Sequence, residues 1–89
     1  MVITLEMQQR ARIFRALSVE SRLRIMQLLS QRTFCVGALS DLLGISAGAV
    51  SQHLRVLKDA GLLHREQRGT WAWFSIDSDR LAELSVLLS

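Results

Sequence analysis

Apolar positions recur at helical spacing along most of the chain and switch to strict alternation only after Gly61. In residues 3–17, Ile3, Met7, Phe14 and Leu17 share a face. Ala11 lies beside it, and Gln8, Arg12 and Arg15 lie away from it. This spacing predicts an amphipathic helix. Residues 19–31 form a second one. Ser18 stands where a hydroxyl can cap it, and Glu20 suits the positive end of its dipole. Its polar stripe is narrow, holding only Glu20, Arg24, Gln27 and Gln31. Val19, Leu23, Ile25, Met26, Leu28 and Leu29 occupy most of the rest. A helix apolar over most of its circumference is a central one.

A break near Arg32 and Thr33 precedes a short third helix over residues 36–45, closed by Gly44. Cys35, Leu39 and Leu42 share its inner face, with Val36 and Leu43 flanking. The fourth segment, residues 46–63, reads SAGAVSQHLRVLKDAGLL. Ser46 can cap it, and Gly61 can take the left-handed conformation that ends a helix. Val50, Leu54 and Leu57 fall on one side, and Gly48, Ser51, Gln52 and Arg55 roughly opposite. Two helices joined by a tight glycine-bearing turn make a helix-turn-helix, whose second helix reads DNA.

Beyond Gly61 the period becomes two. LLHREQ, then Arg68-Gly69, then TWAWFSI predict a β-hairpin, with Gly69 supplying the positive φ of its turn. Ala72, Phe74 and Ile76 share one face of the second strand, and Trp71 and Trp73 the other. His64, Arg65, Glu66 and Arg68 charge the tip. Such a hairpin beside a recognition helix is a wing, suited to phosphates or a minor groove. Asp77 or Ser78 can cap a last helix over residues 79–88, with Leu81, Leu84 and Leu88 on one face and Val86 and Leu87 elsewhere. The fold class is therefore mainly α with a β-hairpin wing: four helices, two strands and a helix, in one domain spanning 1–89.

At 89 residues and 49% apolar, or about 55% with its 5 glycines, the chain is richer in apolar groups than the ~45–50% of an ordinary soluble domain. No apolar run approaches the ~20 residues of a membrane span. The surplus implies that a second copy covers part of the surface. The first and last helices, 1–17 and 78–89, are the expected homodimer interface. A net charge of +3 permits nucleic-acid binding without proving it. One cysteine excludes an intramolecular disulfide and fits a reducing cytoplasm. Glu6, Arg10, Arg12 and Arg15 interrupt the region where a signal peptide needs an apolar core.

These features resemble the ArsR/SmtB family of winged-helix repressors over nearly the whole chain. ALSVESRLRIMQLL is similar to the family's "ALSDPTRLRIL", AVSQHLRVLKDAGLL to its "AVSxHLxxLxxAGLV", and RGTWAWFSI to its wing ending. The resemblance implies a homodimeric repressor that leaves its operator when an inducer binds. The family's metal sites do not carry over. Where many members have Cys-Val-Cys, this chain has Cys35-Val36-Gly37. Its last segment offers Asp77, Asp79 and Glu83 without histidine, a poor set for zinc or softer ions. No metal and no cofactor is expected, and the inducer is unknown.

The expected partner is double-stranded DNA carrying an imperfect inverted repeat. Small Gly48 admits close approach, and Ser51 and Gln52 can read base edges. Arg55 can serve bases or backbone. Ser46, Lys58, Arg65 and Arg68 are phosphate candidates. Cys35 has two readings: a thiol sensor, helped by nearby Arg32, or a small buried hydrophobe. His53 and His64 are read as structural or phosphate-facing. Two rival functions stand beside this reading. An enzyme lacks support, because no Ser or Cys stands with a His and an acid, and no phosphate loop occurs. A winged helix used for protein contacts requires an apolar outer face on the fourth helix, which Gly48, Ser51, Gln52 and Arg55 do not provide.

Overall fold

The computed structural model describes residues 4–82. Its order is α1 (Thr4–Leu17), α2 (Glu20–Leu29), β1 (Phe34–Cys35), α3 (Val36–Leu43), α4 (Ala47–Asp59), β2 (Leu63–Arg68) and β3 (Trp71–Ile76). A further helical segment starts at 78 and is described to 82. Ile3, Leu84, Val86, Leu87 and Leu88, expected on the outer helices, lie outside the described residues.

The core gathers one stripe from each helix and one face of the sheet. Ile25, Leu39, Val50, Leu54, Leu57 and Leu62 are almost wholly enclosed. Ile13 and Ala16 come in from α1, and Phe34 and Phe74 from the sheet. Burying each of the larger side chains stabilises the fold by roughly 1.5–3 kcal/mol relative to leaving it exposed. Helix α2 packs against α1, α3, α4 and β3, so it is the central helix that its narrow polar stripe predicted.

Several local expectations need correction. Ser18 does not cap α2. Its hydroxyl turns back and donates to the Arg15 carbonyl at 2.8 Å, closing α1 instead, and Val19 occupies the cap position with no side-chain bond. Helix α2 stops at Leu29 rather than Gln31. Ser30 and Gln31 donate to the Met26 and Leu28 carbonyls in a last tightened turn, after which the chain must extend into the sheet. Residue 35 is not on α3. It lies in β1, a two-residue strand pairing Phe34 with Phe74 and Cys35 with Trp73. No periodicity can show in two residues. On α3 the buried pair is Leu39 and Leu43, and Leu42 faces solvent. Helix α1 needs no such correction: it gives Ile13 and Ala16 to the core and keeps Met7 and Phe14, on the face expected at a subunit interface, half exposed.

The sheet is antiparallel in the order β1-β3-β2. Arg68 pairs with Trp71, so the hairpin turn is Gly69-Thr70, one residue later than expected. Gly69 has φ +61° and Thr70 does not have positive φ, as a II′ turn requires.

The end of α4 is set by Gly61, at φ +83°. The Gly61 amide donates to the Lys58 carbonyl at 2.9 Å, and the Leu62 amide to the Leu57 carbonyl at 3.0 Å. This paired closure is a Schellman motif, and its apolar contact is Leu57 with Leu62, both fully buried. A Cβ at position 61 would lie 3.1 Å from Arg80 Nε. Asp77 begins the last segment as expected, accepting from the Arg80 amide at 3.1 Å. Gly61→Ala should therefore destabilise the fold by about 1–2 kcal/mol, the cost of a left-handed non-glycine residue. Gly37→Ala, in the first turn of α3 with open space around it, should not destabilise and should stabilise by at most about 0.5–1 kcal/mol. Urea unfolding of both variants checks the pair, and equal shifts would contradict this account of Gly61.

Candidate nucleic-acid interface

Helix α4 is bound to the protein along one side and bare along the other. Ser46 caps it: its Oγ accepts from the Ala49 amide at 3.1 Å, leaving the hydroxyl proton free to donate outward. Val50, Leu54 and Leu57 are buried to within 1%. Gly48, Ser51, Gln52, Arg55 and Lys58 are all exposed. The turn before the helix is held by Gly44, at φ +69°, and by Ser40 Oγ donating to the Ile45 carbonyl at 2.6 Å. The helix-turn-helix expected from the sequence is therefore present, with its small and polar residues outward.

A cleft runs between α4 and the wing. Ser51, Arg55 and Lys58 line one wall, Arg65 the other, and Phe74 the floor. Asp59 also lines it and sits 3.9 Å from Arg55 Nε, a loose pair between two well-exposed side chains. Such a pair is worth little in water and yields readily to a phosphate. The cleft thus brings together Ser51, Arg55, Lys58 and Arg65.

Arg68 is not with them. The register places Arg65 opposite Phe74 and Arg68 opposite Trp71, so the two arginines leave opposite faces of the hairpin. Arg65 is held by Gln67 Oε1 at 2.6 Å, and Gln67 in turn donates to the Gly69 carbonyl. Arg68 donates to Glu66 at 3.0 Å and lies over the Trp73 ring at 5.8 Å. The Glu66 carboxyl is held below its usual range by the Arg68 hydrogen bond first and the Arg68 charge second. Arg68 is correspondingly raised by Glu66. The pair therefore persists through neutral pH and is lost only as acid protonates Glu66. It half-neutralises the outer face of the wing.

Cys35 is half-buried against the wing strand. The Arg32 guanidinium stacks on the Phe34 ring at 4.5 Å. His53 is half-buried and accepts from Arg22 Nε at 3.4 Å, while His64 lies 3.3 Å from Asp77. Among the described residues, no three of His, Cys, Asp and Glu gather closely enough to hold a metal ion. None of the described helices is long and apolar enough to cross a membrane. In the sequence Arg22 and Asp59 have no visible role, and Glu66 shows only as one of the charges of the hairpin tip. The signal for Glu66 and Asp59 was their spacing, two residues before Arg68 and four after Arg55.

This architecture has close counterparts. The family described as "Bacterial regulatory protein, arsR family" matches residues 20–65, which run from the start of α2 into β2, the first wing strand. The arsenical resistance operon repressor of Bacillus subtilis is 36% identical over 77 residues, spanning 85% of this chain and 70% of that protein. An uncharacterised helix-turn-helix regulator of Methanocaldococcus jannaschii is 34% identical over 82 residues, spanning 91% of this chain and 92% of its own. The homodimeric winged helix-turn-helix DNA-binding domain of a Mycobacterium bovis regulator, solved in solution, superposes with a TM-score of 0.87 at 30% identity, covering 98% of this chain and 81% of that one. With helix-turn-helix, wing and sequence all in agreement, the chain belongs to the ArsR family of winged helix-turn-helix transcriptional regulators.

Proposed function

We propose that this protein is a homodimeric repressor that binds double-stranded DNA at an imperfect inverted repeat and leaves it when an inducer binds. The observation that carries the reading is the bare outer face of α4: Gly48, Ser51, Gln52 and Arg55 stand exposed on a helix whose opposite stripe is fully buried. Ser51 and Gln52 read base edges in the major groove, and Arg55 serves base or backbone. Lys58 and Arg65 hold phosphates from the cleft, and Ser46 does so from the N-terminus of α4. Arg68 reaches phosphate from the far face of the wing, beside exposed Trp71. A protein-contact role for α4 calls for an apolar outer face, and only Val56 among the large apolar side chains of that helix is notably exposed.

The homodimer rests on α1 and the last helical segment. Met7 and Phe14 are half exposed on α1, and Leu81 is exposed beyond the wing. A second copy covering them removes apolar surface from water, and the M. bovis relative is itself homodimeric. Two recognition helices then meet half-sites about 34 Å apart, one turn of DNA. Paired thiolates of the Cys-Val-Cys kind do not hold the inducer, because Gly37 stands at the second position.

Selection from random duplexes should yield such a repeat. Against the selected operator, Gln52→Ala should relax preference at one or two base pairs, by about 1–3 kcal/mol of discrimination. Arg68→Ala should weaken binding to operator and random DNA alike and flatten the salt dependence by about one unit of slope. Glu66→Gln should do the reverse of Arg68→Ala, since it frees that guanidinium. Equal effects of Gln52→Ala on operator and random DNA would contradict this division. Selection of no duplex at all would favour the protein-contact role.

Gly48 gives a separate check. Within the protein a Cβ there meets only Ser46 Oγ, at an ordinary 3.9 Å. Gly48→Ala should stabilise the free protein by about 0.5–1 kcal/mol while weakening operator binding, because the added methyl faces the groove. Unfolding and fluorescence-anisotropy titrations on one preparation test this. Unchanged operator affinity would place the DNA elsewhere.

A further inference from the structure

We infer that Arg22 and His53 are positioning residues for DNA binding, clamping recognition helix α4 to the C-terminal end of α1 and so fixing the half-site spacing that the dimer accepts. The inference rests on the homodimeric DNA-binding reading above.

Arg22 lies in the first turn of α2, and its guanidinium sits where three helices meet. One terminal nitrogen, Nη1, donates to the carbonyls of Arg15 at 3.4 Å and Ala16 at 3.3 Å, in the last turn of α1. The Nε donates to His53 Nδ1 at 3.4 Å, in the middle of α4. The α1 carbonyls belong to the last turn, where the dipole favours a cation; that of Arg15 also accepts from the Ser18 hydroxyl at 2.8 Å and amide at 3.2 Å. His53 accepts at Nδ1, so its ring proton lies on Nε2. The contact is partly buried, and it lies between the enclosed stripe of α4 and the outer face that carries Gln52.

A planar guanidinium donates in these two directions from separate nitrogens of one rigid fork. A lysine ammonium reaches one of the two helices as a point charge. The clamp therefore joins two elements with different tasks. Helix α1 carries Met7 and Phe14 toward the partner protomer, and α4 carries Ser51 and Gln52 toward DNA. In a two-fold dimer, any change in the angle between α1 and α4 is repeated in the second protomer. Both changes enter the separation of the two recognition helices. DNA accepts that separation only in steps of one base pair, ~3.4 Å along the axis. A loosened clamp should thus leave each half-site contact intact while blurring the spacing.

The test uses full-length protein and four duplexes: the selected operator, the same operator with one base pair inserted or removed between half-sites, and a single half-site. Affinities are read by anisotropy, with a thermal melt of each variant. Arg22→Gln cuts both links. His53→Leu cuts only the link to α4 and leaves Arg22 on the α1 carbonyls, so it guards against a general folding defect. His53→Asn restores an acceptor near the place of Nδ1. In Arg22→Gln and His53→Leu, operator affinity should fall about tenfold, with half-site affinity held within about twofold and the advantage of native spacing largely lost. His53→Asn should recover most of that advantage relative to His53→Leu. An equal fall on operator and half-site would make these residues merely structural and overturn the inference. Undiminished spacing preference in both variants would overturn it as well, leaving the DNA-binding reading in place. A wild-type protein with no spacing preference would overturn both together.

Discussion

The arrangement depends on burying one stripe of α4. Val50, Leu54 and Leu57 are enclosed by α1, α2, α3 and the wing, so the helix cannot roll or tilt without exposing them. Truncating any one to alanine removes contacts worth about 2–5 kcal/mol for a leucine. That is a large share of the stability of so small a domain. The outer face contributes little to folding and is therefore free to carry Gly48, Ser51, Gln52 and Arg55. In the proposed reading, recognition chemistry thus sits on a rigid element at no cost to the core.

Electrostatics finishes what packing begins. No buried side chain among the described residues is polar or charged, so the charged groups stand at the surface or in partly buried junctions. On the near side of the cleft, cations of α4 and the wing converge, tempered by Asp59. On the far side, Glu66 occupies Arg68. The wing is thus two surfaces, one facing the recognition helix and one facing away, and only its near face shares a cleft with the helix.

Much of this was legible in the sequence where a signal spans several residues. The period of α4, its serine cap and its glycine stop gave both ends of the helix. Alternation gave the wing, and Asp77 gave the start of the last helix. What escaped was short or relational. A two-residue strand has no period, so Cys35 was assigned to the wrong element. Ser18 could serve either of two adjoining helices, and its hydroxyl chose the one behind it. On α3 the period is legible but not which of the neighbouring Leu42 and Leu43 turns inward, because an eight-residue helix offers too few turns to fix its face. Arg65 and Arg68 looked equivalent until the register placed them on opposite faces. Arg22 joins residues 7 and 31 positions away, and no local spacing announces that.

The most direct test of the central claim is amide chemical-shift mapping by NMR of the labelled dimer as a selected duplex is added. The account predicts that the largest shifts fall in residues 46–58, with a second set in the wing at 65–70, and that they weaken together as salt rises. Shifts confined to α1 and the last helical segment, with α4 unmoved, would contradict it.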